Sequence, residues 1–459
     1  MSILLINPDY TNVYRYNFMR YFYSRYPPLN LVTLSSSIEN VSILDMNIFS
    51  DPIRELRNSL KTQNFDFVGV TVNTPSVDYV KNIIGIIRES SKSKIILGGP
   101  HVTSFPERSF QELKPDIVCE GEGDETIREI ISGKPLKKIR GLWIRKNGKI
   151  FRTKKRHFIE NLDSLKFPTW ELLDLKKYFT ILSKKNPTGT IETSRGCPYN
   201  CVYCHKETFG RVFRYKTPKR VVDEMEYLFD SGFKEIHVVD DAFTVNRRRT
   251  IEICDEVIIR GLDFPWALPN GIRVDTVDQK VLDKLHHAGC HLIAFGVETG
   301  SEKMLRVIDK GINIKQTEKA FKMAKDAGIE TLVAFFMVGL PGEKEEDLEK
   351  TTEFARHLDA DVTKVSVTIP YPGTRLYEIY KKDGSLIEDV GWASYRIHEP
   401  SRIYKHENLS WSKIVNSYYK ILKSTYGNPF HYIRRSDKIV ISYAPRIIKN
   451  ILYGMRRKL

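Results

Sequence analysis

Cysteine is scarce in this chain. There are six in 459 residues, and three of them, Cys197, Cys201 and Cys204, fall within eight consecutive positions. A disulfide framework spreads its cysteines along a short secreted chain, so this pattern argues for metal chemistry instead. No stretch of about 18 uninterrupted apolar residues occurs, which argues against a membrane-spanning helix. The opening MSILLINPDY has no basic stretch and no small-residue cleavage site. It reads as a buried first strand rather than a secretory signal, and the expected compartment is the cytoplasm. No short-period repeat or low-complexity tract stands out.

Acids are scarce at one end. Residues 401–459 hold 13 Lys and Arg against Glu407 and Asp437, and so carry +11 of the net +15. The body of the chain is nearly neutral. Its hydrophobic fraction, 41%, is enough for deep cores, and the length suggests two or three domains.

Residues 1–135 read as an α/β domain. Five β-rich apolar runs, ILLIN, VSILDM, FDFVGVTV, KIILGG and DIVCEG, alternate with helical stretches. Continuous apolar strands of this kind are buried on both faces, as in a parallel sheet. Five of them suggest a flavodoxin-like (Rossmann-like) sheet with a ligand at the carboxyl ends of its strands. Residues 136–185 are mixed and basic and read as a linker with a hairpin. A second α/β series fills 186–400. Its strands are GTIETS, EIHVVDD, WALPNGIRVD, HLIAFGVETG, TLVAFFMVGLPG and KVSVTIPYPG. Six such units suit a partial TIM-type (β/α)6 barrel with its chemistry at the carboxyl ends of the strands. Residues 401–459 form a basic helical tail.

The three cysteines sit in SRGCPYNCVYCHKETFG, directly after the first barrel strand, with spacing C-x3-C-x2-C. Iron–sulfur clusters normally take four thiolates. Three from one loop leave one iron of a [4Fe–4S] cubane open to a further ligand. The alternative is a tetrahedral zinc site with His205 as fourth ligand. Zinc pairs usually come with a distant second pair, and none follows here. Cys254 and Cys290 stand alone in apparently helical stretches and read as packed thiols.

The loop resembles the signature of the radical S-adenosylmethionine (SAM) superfamily, in which an aromatic, here Tyr203, commonly precedes the third cysteine. The strings PPLNLVTLSSSIE, GVTVNTPSVDYVKNII, GGPHVTSFPE and CEGEGDETIREI are similar to the cobalamin-binding domain of the B12-binding branch. In the barrel, VVDDAFTVNRRR, NGIRVD, FGVETGSEKMLR, FMVGLPGE and PYPGTRLYE match the same branch. Together these cover roughly residues 1–400. The resemblance implies that the open iron chelates SAM and that reductive cleavage yields a 5′-deoxyadenosyl radical, with the cofactors carrying the chemistry and the protein orienting them. It places Asp240 and Asp241 near the SAM amino group, although Asp also serves as a helix N-cap. Arg273 is a candidate for the SAM carboxylate, Glu298 for the ribose hydroxyls, and Pro341 and Gly342 for the turn near the adenine. Tyr203 packs on the adenine or fills the loop. Each charged residue has an ordinary ion pair as its alternative.

Cobalamin is the implied second cofactor. The D-x-H-x-x-G string that supplies a histidine beneath cobalt is missing from residues 1–135, where His101 is the one histidine. His101 therefore reads as a loop residue, and the expected contacts are Pro8, Thr71, Asn73, Pro75, Gly98, Gly99, Glu120 and Gly121. The alternative is a degenerate domain kept for stability or partner binding.

The preferred function is cobalamin-dependent C-methylation of an unactivated carbon on a hydrophobic or lipid-like substrate. Its rivals are radical carbon–carbon bond or ring formation on a lipid, hopanoid or tetrapyrrole, and a non-enzymatic cobalamin-responsive sensor. An intact three-cysteine loop speaks against the sensor. A methylthiotransferase needs more cysteines upstream than Cys119, and auxiliary clusters need cysteines after Cys290. The expected electron donor is a flavodoxin or ferredoxin. In the tail, Trp411, Ile414, Val415, Tyr418, Tyr419 and Leu422 have helical spacing for packing on the barrel. Ala444, Ile447, Ile448, Ile451, Leu452 and Met455 repeat among basic residues. That pattern suits peripheral contact with the inner membrane face, or plain docking; nucleic acid ranks behind both.

Overall fold

The computed structural model describes residues 1–10, 24–146, 148–396, 401–426 and Lys449. Its first sheet uses all five apolar runs of the N-terminal region. They form β1 (Ile3–Asn7), β2 (Val41–Asp45), β3 (Phe67–Thr71), β4 (Lys94–Gly98) and β5 (Ile117–Cys119), all parallel, in the order β2-β1-β3-β4-β5. This is the flavodoxin order, with its switch point between β1 and β3. Ile3, Leu4, Leu5 and Ile6 are all buried, as expected of a strand covered on both faces.

The expected hairpin exists, but it is not part of a linker. Its strands β6 (Leu142–Lys146) and β7 (Lys149–Arg152) add antiparallel to β5 and extend the first sheet past residue 135. Glu120 holds it there. One carboxylate oxygen accepts from Trp143 Nε1 and the other from Arg152, both at 2.8 Å. Glu120 is therefore not the cavity contact the sequence suggested, because its acceptors serve the hairpin.

The second sheet contains β8 (Thr188–Ile191), β9 (Glu235–Val238), β10 (Trp266–Ile272), β11 (Cys290–Glu298), β12 (Thr331–Val338) and β13 (Val362–Val367). All are parallel and adjacent in sequence order, so β8 and β13 remain as unpaired edges of a partial barrel. Cys254 and Cys290 are buried, and Cys290 opens β11 rather than lying in a helix. Side chains alternate along each strand. Val365 and Val367 join the main core under the helices, while Ala267, Leu292, Ala294 and Val333 form a separate cluster on the lumen side.

Helix Trp411–Tyr426 packs on the barrel through Ile414 and Ile421. Tyr418 and Leu422 reach the cavity, whereas Tyr419 is 52% exposed and lies off the packed face. Apart from Lys449, the stretch Ala444–Met455 lies outside the described residues. No helix among the described residues is long and apolar enough to cross a membrane.

A buried ion network joins the two sheets. Arg195, just after β8, donates to both oxygens of Asp124, at 2.9 and 3.1 Å, and to Glu192 at 2.6 Å. Arg214 donates to Glu122 at 2.8 Å and to the Ile159 carbonyl at 2.6 Å. Only 4% of the Arg195 side chain and 11% of the Asp124 side chain are exposed. The Arg195 guanidinium holds the Asp124 carboxyl below its ordinary range against the opposing effect of burial. Removing one partner of such a pair strands a buried charge, at a cost of about 3–5 kcal/mol. Arg195→Ala should therefore lower the unfolding free energy by about that amount and increase protease cleavage between the two sheets. Thermal unfolding and limited proteolysis check this, and an unchanged melting temperature would refute it.

Candidate cofactor site

The cysteine loop is held from below. Gly196 has φ +82°, and a Cβ there would run into the Val212 carbonyl, so only glycine fits. Val202 plugs into an apolar cluster with Met304, Ile308 and Leu340. Its N–H donates to the Ile308 carbonyl at 3.1 Å, and its carbonyl accepts from Leu376 N–H at 2.9 Å. Lys206 donates to the carbonyls of Cys197 and Tyr199, and Arg375 to that of Asn200. These contacts hold the backbone and leave all three thiols free.

Cys204 is exposed at the surface of the loop, yet its thiol is pushed up to about 12 by partial desolvation, then by the nearby Cys201 and Cys197 sulfurs and Asp241, against the pull of Lys206. Three sulfurs this close do not ionise together without cations among them. Irons supply that charge, so the donor set fits a cluster. Among the described residues, no three His, Cys, Asp or Glu converge as a single ion requires. A cubane places one thiolate on each of three irons and does not need such convergence.

Asp241 and Glu192 line the cavity beside this loop. Asp241 is exposed to the cavity, and its carboxyl is raised to about 6 by partial desolvation there, by Glu192 and by Asp240. Neighbouring carboxylates that repel one another fit a cationic ligand, and SAM carries an ammonium and a sulfonium. Asp240 does not face the cavity. It accepts from Thr193 N–H, the Thr193 hydroxyl and the Ser194 hydroxyl at 2.5–2.6 Å, and so shapes the backbone leading into the cysteine loop.

Several other expected SAM contacts are committed elsewhere. Arg273 grips Asp275 with two donors at 2.9 and 2.7 Å, donates to the Lys310 carbonyl, and stacks 3.7 Å from the Tyr199 ring centre. It supports the loop. Glu298 takes φ +69°, rare for this residue type, and pairs with buried Lys310 at 2.6 Å. Tyr203 also meets Lys310, at 3.4 Å, and packs with the apolar cluster around Val202. Gly342 takes φ +71° in the turn after Pro341, and its carbonyl accepts from Lys303. None of Arg273, Glu298, Tyr203, Pro341 and Gly342 lines the large cavity.

That cavity, about 1290 Å³, opens between the carboxyl ends of the first sheet and the barrel and continues into the barrel lumen. Thr71, Asn73, Pro75, Gly98, Gly99 and Gly121 line it as expected, and Pro8 does not. A side chain at Gly98 would meet nothing within 4 Å, so space stands open at the carboxyl end of β4. A flat, wide macrocycle such as corrin fits a cradle of backbone and small side chains. His101 is not part of it. His101 is 1% exposed, bonds Thr74 through Nδ1 at 3.2 Å and meets Trp392 edge-on, and burial lowers its pKa to about 4.

Sequence reasoning passed over Glu192, Arg195, Lys206, Tyr26, His237 and Lys364, all but the last three within the SRGC neighbourhood. All six line the cavity. Arg195 and Lys206 flank the cysteines closely enough to have been noticed. Tyr26, His237 and Lys364 carry no local signal, and only the fold brings them together.

Residues 191–355 match the model of the Radical SAM superfamily, and residues 18–131 match that of the B12 binding domain. An uncharacterized methyltransferase of Pyrococcus horikoshii is 32% identical over 100% of this chain and 98% of its own length. An anaerobic magnesium-protoporphyrin IX monomethyl ester cyclase of Rubrivivax gelatinosus is 28% identical over 78% of this chain and 65% of its own length. In fold, the chain is similar to the radical S-adenosylmethionine methyltransferase TsrM of Kitasatospora setae, solved with cobalamin and a [4Fe–4S] cluster bound. The TM-score is 0.71, with 19% identity over 92% of this chain and 89% of that one.

Anaerobic reconstitution should load about four irons and four sulfides on the cysteine loop. Cys201→Ala should abolish loading while leaving the circular dichroism unchanged, because Cys201 is partly exposed and its thiol is free, while its carbonyl keeps the bond from Cys204 N–H. Stoichiometric zinc in place of iron would overturn the cluster assignment.

Proposed function

The chain belongs to the radical SAM enzymes that carry a B12-binding domain, and from that premise we propose that it methylates an unactivated carbon of a hydrophobic, lipid-like substrate. One observation carries this reading. A single cavity runs from the switch point of the first sheet, past Asp241 beside the cysteine loop, into a lumen walled by Leu182, Leu292 and Val362. On this frame a [4Fe–4S] cluster with SAM supplies a 5′-deoxyadenosyl radical, and cobalamin supplies the methyl group.

The chain's own residues do the rest. Cys197, Cys201 and Cys204 hold three irons and leave the fourth open. Asp241 and Glu192 face the positive end of SAM. Thr71, Asn73 and Gly98 cradle the corrin. The apolar wall excludes water, which protects a carbon radical from side reactions. Ring formation is the second reading, and the likeness to the Rubrivivax cyclase favours it.

The test is isotopic. Cobalamin-loaded enzyme is given SAM labelled in its methyl group, a reductant, and lipid and pigment extracts of cells lacking the gene. A labelled apolar product together with 5′-deoxyadenosine supports methylation. An unlabelled product with a new ring replaces methylation by cyclisation. No 5′-deoxyadenosine at all would sink both.

We also propose that the basic tail rests on an anionic membrane surface, a reading that stands on its +11 charge and its apolar stripe. Each Lys or Arg near such a surface contributes about 1 kcal/mol, weakened by salt. The full chain should co-sediment with anionic vesicles at low salt, and a chain lacking residues 440–459 should not. Equal recovery of both in the supernatant would remove the tail from the argument.

A further inference from the structure

Lys364 stands out among the cavity's cations. It lies on β13 between residues whose burial sets its direction. Val365 and Val367 pack outward into the main core, and Val362 packs with the lumen cluster. Alternation therefore turns Lys364 into the lumen, where it lines the cavity. Its ammonium lies 5.5 Å from the centre of the Phe335 ring, and among the described residues it has no ion-pair or hydrogen-bond partner. Its side chain is exposed to the cavity, the partial loss of water among the wall residues lowers its pKa, and no carboxylate is close enough to raise it again.

The other cations of the cavity have their donors committed. Arg195 is held by Asp124 and Glu192. Lys206 is bound to two loop carbonyls. Arg25 reaches the Lys177 carbonyl and stacks on Phe179. The polar cluster behind His237 is closed on itself. The Glu235 carboxyl is held at about 2, against the effect of burial, by hydrogen bonds from His237 and His291. Both histidines donate through Nε2 at 2.9 Å, which leaves His237 Nδ1 to accept from the Tyr26 hydroxyl at 2.7 Å. Among the described residues, the lumen thus offers an incoming ligand one uncommitted full charge, set in an apolar wall. An anion entering the lumen would gain a charge-assisted hydrogen bond from that ammonium.

We propose that Lys364 is an anion anchor, and that the lumen takes a substrate carrying a carboxylate or a phosphate on an apolar body, with that anion paired to the Lys364 ammonium. This rests on the reading of the lumen as the substrate pocket. It narrows the substrate class from hydrophobic to amphiphilic and anionic.

Three ligands with the same alkyl chain test it: decanoate, decyl phosphate and decanol. Each is titrated by calorimetry into the full chain loaded with cluster and cobalamin. At least one anion should bind about tenfold more tightly than the alcohol, the gain typical of one charge-assisted hydrogen bond. The anion that shows this gain distinguishes carboxylate from phosphate. Lys364→Met should erase the preference, and Lys364→Arg should restore most of it. If decanol binds wild type as tightly as both anions, or if the Met variant keeps the preference, the proposal falls. The corrinoid absorption of the Met variant should match wild type; lost corrinoid would assign Lys364 to cobalamin and overturn the proposal. If wild type makes no 5′-deoxyadenosine yet prefers the anion, the methylation reading fails and the anchor stands.

Discussion

The constraint on which the rest depends is the buried charge network around Arg195. Arg195 lies two residues before Cys197, and its guanidinium is clasped by Asp124 at the start of the helix after β5. That single side chain fixes the cysteine loop relative to the carboxyl end of the first sheet. Arg214 and Glu122 repeat the connection from the far side of the loop. Buried ion pairs are weak sources of net stability, because desolvation offsets most of the attraction. Their geometry is what matters here. Two cofactors that must meet one substrate have to be held by two domains in a fixed register, and directional bonds set a register more sharply than an apolar contact does.

The same division of labour runs through the site. Three charged groups beside the cysteine loop but off the cavity have their partners. Asp240 takes three hydrogen bonds, Arg273 is tied to Asp275, and Lys310 is tied to Glu298. A few groups at the cavity and in the loop beside it are left electrostatically unbalanced, although Arg195 and Lys206 there have their donors committed. Asp241 and Glu192 repel one another, three thiols crowd together, and Lys364 has no anion. A fold tolerates such imbalance only where ligands relieve it, so the uncompensated charges outline what binds: cations beside the loop and an anion in the lumen.

Much of this was legible in the sequence, and for physical reasons. Strands buried on both faces must be continuously apolar, so both sheets appeared as runs, and the first came out in the flavodoxin order. Three cysteines in eight residues announce themselves. The hairpin misled because antiparallel pairing onto β5 depends on Glu120 reaching Trp143 and Arg152, a contact between residues 23 and 32 apart. Arg273 and Glu298 sit in the expected strings, yet Arg273 is taken by Asp275 of its own string, and Glu298 by Lys310, which lies beyond the end of its string. Asp240 and Asp241 are adjacent and chemically identical. Which of them faces the cavity is decided by the backbone direction at the end of β9, not by composition.

Lys364 shows where local reading stops. On a strand, a lone lysine among valines and threonines looks like an ordinary solvent-facing residue, and β13 is an edge strand, where lysine commonly guards against aggregation. Here the edge is not left open. Helix Trp411–Tyr426 lies along it and brings Tyr418 and Leu422 to the cavity. With its outer face covered by that helix, β13 turns its lysine inward to the lumen of a barrel that β8 and β13 do not close. The charge therefore belongs to the space that the two edges and the helix enclose, and an anionic group on an otherwise apolar ligand is the chemistry that space can best accept.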